Sequence, residues 1–104
     1  MIYVDEIREY SHFRDWRDGS WSHLTTDGTR DELHAFAARL SLKKSWFRDD
    51  PILFHYDCRP SKRALAVKLG AVEVQAREWL PRLREMRMND RVSYLAALGG
   101  TDGA

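Results

Sequence analysis

Cysteine is nearly absent from this chain. Cys58 is the only one, so no disulfide can close within the chain and nothing points to an oxidising compartment. Long apolar runs are missing as well. No stretch approaches the roughly 18 residues that span a bilayer. The opening MIYVDEIREY carries acids where a secretory leader needs a basic start and an apolar segment. A cytoplasmic location without membrane association is the expectation. Charge of one sign is also lacking: 17 Lys+Arg stand against 16 Asp+Glu, and a net charge of +1 is no guide to partners. There is no Gly-rich phosphate loop, Walker sequence or G-x-S-x-G elbow. No two histidines have the i, i+4 spacing of a helical metal site, and His55-x-x-Cys58 is half a zinc pattern, so structural zinc is not expected. Internal repeats and low-complexity segments are absent too.

What is present describes a globular domain. The 104 residues suit one core, and 43% hydrophobic with 12% aromatic residues excludes disorder for most of the length. Charge is unevenly spread: residues 1–57 carry a net −3 and residues 58–104 a net +4. Most of the second-half cations are arginines, which suit planar recognition of phosphate or carboxylate and serve equally as a solvated helix face.

Ile2-Tyr3-Val4 reads as a short buried strand, with Asp5 at its carboxyl end, the edge where ligands bind in open α/β sheets. Tyr10, Phe13 and Trp16 recur at three-residue spacing, as a helical turn or an aromatic-bearing loop. Asp18-Gly19 marks a turn, and Trp21–Leu24 reads as a connection. Thr29-Arg30-Asp31-Glu32 is a capping box, followed by Leu33, Phe36, Ala37 and Leu40 as one apolar helical stripe. Lys43 and Lys44 end that helix. Ser45-Trp46-Phe47 is a second strand candidate, and Ile52–Tyr56 is expected to be extended. Pro60 and Ser61 open a helix that runs to Leu69, with Gly70 as its left-handed terminal residue. Ala71–Val74 is a third strand. Ala76, Trp79, Leu80 and Leu83 form another helical stripe, kinked or divided by Pro81, and Asp90 caps a last short helix.

Strand, helix, strand, helix, strand, helix predicts an α/β domain of two or three layers, with a short, mostly parallel sheet and crossover helices. A single domain is expected over residues 1–98. Residues 79–98 would be a C-terminal helical extension and 99–104 a frayed tail.

On such a fold, His55, Asp57 and Ser61 gather near the start of the second helix. Its unpaired amides, with Ser61, Lys62 and Arg63, could hold a phosphate. An acid and a histidine beside a phosphate can transfer protons or bind a divalent metal. Asp57 or Ser61 could instead simply cap the helix, with His55 hydrogen-bonded nearby. His23 follows Trp21 and Ser22 in the connection, where site residues are common. His34 flanks the apolar stripe and reads first as a satisfied histidine at the core edge; His12 has no special context. Cys58 with His55 as its base is a weak nucleophile pair, because nothing else defines an oxyanion site.

Three pieces together carry a resemblance: Tyr3-Val4-Asp5; Trp21-Ser22-His23-Leu24 with Glu32-Leu33-His34-Ala35-Phe36-Ala37; and Trp46-Phe47 with His55-Tyr56-Asp57 and Gly70-Ala71. The chain resembles the bacterial and phage family called domain of unknown function 4031, from about residue 1 to about residue 78. That resemblance brings no established activity. It implies that Asp5, His23, His34, His55 and Asp57 belong together as a polar set, and that Cys58 does not. A phage setting associates the family with nucleotides or nucleic acid.

The combined expectation is a small α/β domain that binds a phosphate-bearing ligand, a nucleotide or a nucleic-acid end, and hydrolyses it if it is an enzyme. Asp5, His23, His55 and Asp57 would be the catalytic group, Ser61, Lys62, Arg63 and His34 the ligand-binding residues, and a divalent metal a candidate cofactor. The alternative is a non-catalytic interaction protein that meets a protein partner, or its own copy, through its C-terminal helices.

Overall fold

In the computed structural model, which describes residues 1–10 and 19–99, three strands precede the first helix. These are β1 (Ile2–Val4), β2 (Arg8–Tyr10) and β3 (Gly19–Thr26), and α1 (Arg30–Arg39) follows. A 3₁₀ turn at Lys44–Trp46, β4 (Tyr56–Cys58), α2 (Pro60–Lys68), β5 (Val72–Glu73) and α3 (Ala76–Gly99) complete the chain. His12, Phe13, Trp16 and the 100–104 part of the expected tail lie outside the described residues.

The α/β class holds, but the sheet is mostly antiparallel rather than mostly parallel. Leu24 pairs with Val4 on one side and Tyr56 on the other, so β3 lies between β1 and β4 and runs against both. β2 also pairs antiparallel with β3, and β1 with β5 is the one parallel pairing among the described residues. The reason is the eight-residue β3, in the stretch expected to be a connection. It fills the slot between β1 and β4 that a simple parallel crossover would have closed.

Strand alternation then divides the sheet into two faces. Ile2, Val4, Leu24, Tyr56 and Cys58 point to one face, where they form a core with Leu33, Phe36, Ala37 and Leu40 of α1 and with Ala66 of α2. Tyr3, Asp5, Trp21, His23 and Asp57 take the other. Between Val4↔Leu24 and Arg8↔Trp21 the β1–β2 side advances one residue more than β3 does, the extra residue of a bulge around Glu6 and Ile7. α3 reaches this second face through Trp79, whose ring lies 4.4 Å from that of Tyr3. Further along α3, Arg87 donates to the carbonyls of Thr26 (2.6 Å) and Gly28 (3.2 Å) and lies over the Phe54 ring.

The helix boundaries follow local chemistry. Thr29 accepts from the Glu32 amide at 3.2 Å, as a capping box requires. The reciprocal half is missing, because the Glu32 carboxylate instead takes the amino terminus and the Thr26 hydroxyl. α1 stops before Lys43: Ser41 adopts φ 60, and the Leu42 amide reaches back to the Ala37 carbonyl. α2 ends as expected, with Gly70 at φ 111 and the Ala71 amide bonded to the Ala66 carbonyl.

Two expectations need correction. Ser45–Phe47 is no strand, since the Trp46 and Phe47 amides turn back to the carbonyls of Lys43 and Lys44. α3 is continuous from Ala76 to Gly99, so Pro81 does not divide it and Asp90 caps nothing. Pro81 falls in the second turn, where its missing amide removes one helical bond while Leu83, just beyond it, is buried.

Candidate functional site

The second face of the sheet concentrates the polar residues. Asp5 extends β1 by one residue, and its amide donates to the His23 carbonyl. On β3, His23 stands directly opposite Asp57 of β4. His55 precedes Asp57 by two residues, so it shares the same face, and it is bridged to Arg48 through the backbone. Strand register therefore aligns Asp5, His23 and Asp57 in a row across three strands, with His55 diagonal to His23.

Asp5 is only 4% exposed, and both carboxylate oxygens are used. Oδ1 accepts from the His23 backbone amide and Oδ2 meets His23 Nδ1, each at 2.6 Å. A carboxylate there holds the proton on Nδ1 and leaves Nε2 of neutral His23 as a lone pair. His55 is fixed in the same sense, because its Nδ1 donates to the Leu53 carbonyl at 2.9 Å. Both Nε2 atoms then turn toward Asp57 Oδ1, 3.9 Å from His23 and 3.5 Å from His55. The two imidazoles meet edge to face with centroids 4.7 Å apart.

The electrostatics follow from these contacts. Burial of His55 works against its charged form, but the Asp57 carboxylate and the Leu53 carbonyl outweigh it and raise its pKa above the ordinary histidine value. Burial likewise works to raise Asp57, and His55, His23 and Arg48 together hold its carboxyl below the usual range. Arg48 approaches the other oxygen, Asp57 Oδ2, at 4.0 Å.

Asp57 also forms part of the wall of a cavity of about 600 Å³. Three cations, Arg48, Arg59 and Lys62, line it with the Ser61 hydroxyl and the indoles of Trp21 and Trp46. The Arg59 guanidinium lies 3.8 Å from the Trp21 ring centroid and against Gly19, where any Cβ would collide with it.

The family described as Protein of unknown function (DUF4031) matches residues 2–86. The chain belongs to the DUF4031 family. No curated protein and no solved structure matches it. The DUF4031 match takes in every strand and the first part of α3, beyond the limit near residue 78 expected from the motifs.

In this DUF4031 domain, the residues expected to act together divide into groups. Asp5, His23, His55 and Asp57 converge; Ser61 and Lys62 stand in the adjoining cavity. His34 is elsewhere. It bonds the Tyr56 hydroxyl at 2.8 Å and packs against Phe47, and Tyr56 faces the core, opposite to Asp57. It is the satisfied core-edge histidine that its place beside the helical stripe implies. Arg63 also turns away, with Nε on the Asp5 carbonyl (2.7 Å) and Nη1 on Glu73 (3.0 Å). It clamps the end of β1 and holds the site's backbone rather than reaching into the cavity. Neither Asp57 nor Ser61 caps α2: the N-cap is Arg59, without a side-chain cap bond.

Arg48 and Arg59 are cavity residues without a place in the sequence motifs, while Trp21 and Trp46 stand in the motifs that carry the family resemblance but with no site role assigned. For Arg59 a signal existed, since it continues the Asp57 side of β4 by one strand period.

Cys58 faces the core and is fully buried, and burial together with the Asp57 and Asp5 charges pushes its thiol up to about 12. A nucleophilic role is excluded by that setting. The native protein is expected to resist a thiol-specific disulfide reagent at neutral pH and to react stoichiometrically once unfolded in guanidinium. Rapid labelling of the folded protein would contradict this burial. Among the described residues, no helix is long and apolar enough to cross a membrane.

Proposed function

We propose that this domain binds a phosphate-bearing ligand, a nucleotide or a nucleic-acid end, in the cavity beside Asp57, and that the His/Asp group hydrolyses its phosphoester. The observation that carries the reading is the double membership of Asp57. One oxygen faces two oriented imidazoles, and the same side chain walls a cavity bearing Arg48, Arg59, Lys62 and Ser61. Guanidinium and ammonium groups beside a hydroxyl match the charge and acceptor oxygens of a phosphate. Trp46, half exposed at the cavity, offers a face on which a base can stack, a contribution of about 1–3 kcal/mol per base. An imidazole whose Nδ1 is tied down presents Nε2 to accept or deliver a proton, while Asp57 can orient water. A cytoplasmic setting, consistent with one buried cysteine, belongs to this reading.

A thermal-shift panel of nucleotides and of 5′- and 3′-phosphorylated oligonucleotides, run on wild type and His55→Ala, tests the binding half. A ligand at a hundred times its dissociation constant contributes about 2.7 kcal/mol, enough to raise the midpoint by roughly ten degrees in a domain this size. The expected result is such a rise in wild type, reduced in His55→Ala and in Lys62→Ala. Absence of any shift across the panel would remove the phosphate reading.

A second reading draws on α3, where Met88 and Leu95 are 44% and 54% exposed. An interaction protein could present them to a partner chain or to a second copy. A dimer in light scattering, dissociated by Leu95→Asp, would favour that reading, whereas a monomer counts against self-association through this helix.

A further inference from the structure

We infer that His23 Nε2, His55 Nε2 and the Asp57 carboxylate form a binding site for a divalent first-row transition-metal ion of the zinc or cobalt class. Three side-chain ligands lie on one sheet face, with ligand atoms all within 4.8 Å of one another. Asp57 Oδ1 lies 3.5 Å from His55 Nε2 and 3.9 Å from His23 Nε2. Tetrahedral ligands at zinc distances sit about 3.3 Å from each other, so an ion would have to draw this somewhat wider set together.

An independent observation concerns the atoms behind the ligands. Metal-binding histidines donate their second ring nitrogen to a carboxylate or carbonyl, which fixes the tautomer and aims the lone pair. Both histidines do so here, His23 to the Asp5 carboxylate at 2.6 Å and His55 to the Leu53 carbonyl at 2.9 Å. Rings held in that way aim both Nε2 atoms at the Asp57 carboxylate, the orientation that ligands of one ion need. Asp57 spares an oxygen for this role, since Oδ2 is the one that Arg48 approaches.

The donor set selects the class of ion. Two imidazoles with one carboxylate suit zinc, cobalt, nickel or iron, whereas magnesium and calcium prefer all-oxygen surroundings. His23, His55 and Asp57 are 20%, 16% and 24% exposed, so solvent reaches the place where their atoms converge. Three protein ligands with an accessible further position is the pattern of a reactive rather than a purely structural site. The site stands on its own three side chains and does not depend on the phosphate reading. If both hold, the two histidines serve as ligands in place of proton carriers, and an ion bordering the cavity through Asp57 would lower the pKa of a bound water for attack on the phosphoester.

Chelator-stripped, tag-free protein spanning residues 1–104 should be titrated with Co²⁺ and followed by its visible d–d absorption, then back-titrated with Zn²⁺. The expected result is one ion per chain, displaced by Zn²⁺ and unaffected by excess Mg²⁺. His23→Ala, His55→Ala and Asp57→Ala should each weaken binding by more than about 100-fold, while Asp5→Asn, which changes only the outer partner of His23, should weaken it by about 10–100-fold. Circular dichroism checks that each variant is folded. Should a variant fail that check, imidazole NMR of the wild type decides. Zn²⁺ must then move the His23 and His55 ring signals and leave those of His34 in place. No cobalt binding, or binding retained in the folded His23 and His55 variants, would overturn the inference without bearing on whether the cavity takes phosphate.

Discussion

Asp5→Ala is expected to cost about 2–4 kcal/mol of stability, because it strands two hydrogen-bond donors in a part-buried corner. The His23 backbone amide and His23 Nδ1 both end on this carboxylate at 2.6 Å, and Asp5 itself is 4% exposed. Burying a carboxylate is unfavourable in itself, so part of the loss is returned when the charge is removed. The stranded donors win, since one of them belongs to the central strand and the other sets the direction of a site imidazole. In urea unfolding the midpoint should fall while the slope stays constant. Asp5→Asn preserves the shape and can accept only one of the two bonds through its single oxygen acceptor, so it should fall between wild type and Asp5→Ala. A change in Asp5→Ala of less than about 0.5 kcal/mol, the range of an ordinary surface substitution, would mean that Asp5 does not hold this corner together.

Leu24→Ala should cost at least as much, by a different mechanism. Leu24 is completely buried, lies between Val4 and Tyr56 across the sheet, and packs in the core with α1 and α2. Removing its branched end leaves a cavity lined by strands on both sides that cannot collapse inward without breaking register. Buried leucine truncations of this kind cost about 3–5 kcal/mol. A domain near 100 residues holds roughly 5–15 kcal/mol in total and loses about 4–8 °C of midpoint per kcal/mol, so the midpoint should fall by at least about 12 °C. Leu95→Ala, on the exposed part of α3, should change it by no more than a degree or two. Similar midpoints for the two variants would contradict the core assignment.

Those two residues also show where the sequence was legible. The α1 stripe of Leu33, Phe36, Ala37 and Leu40, the Thr29 cap, Gly70 and the placing of Asp5 at the end of β1 were all readable from spacing and from residue chemistry. Each depends on local rules that tertiary context did not override. β3 was not legible. Its core face is Ser22, Leu24 and Thr26, and its other face Trp21, His23 and Thr25, so hydrophobic and polar residues do not alternate with the strand period. The cause is the site itself, which places an indole and an imidazole where a solvated face would carry ordinary polar residues. Missing β3 led directly to the expectation of a mostly parallel sheet. The four converging residues were nevertheless named, from residue type and from the family resemblance. His34 and Arg63 were grouped with them because a linear sequence does not show that Tyr56 and Asp57 face opposite ways, or that Arg63 turns back to the Asp5 carbonyl. Nothing local separates Arg48 from the other cations of a charged chain, whereas Arg59 stands one strand period beyond Asp57 and is legible once β4 is known.

The most direct test of the account is the rate of phosphate release from 5′- and 3′-phosphorylated oligonucleotides and nucleotides, with Zn²⁺, Mn²⁺ or Mg²⁺ supplied in turn, by wild type and by Asp57→Asn. The account predicts turnover of at least one of these substrates by wild type, and a loss of at least about 100-fold in kcat for the folded variant. Lys62→Ala should act mainly by raising KM. No phosphate release from any substrate by wild type, or release at the same rate by Asp57→Asn, would contradict it.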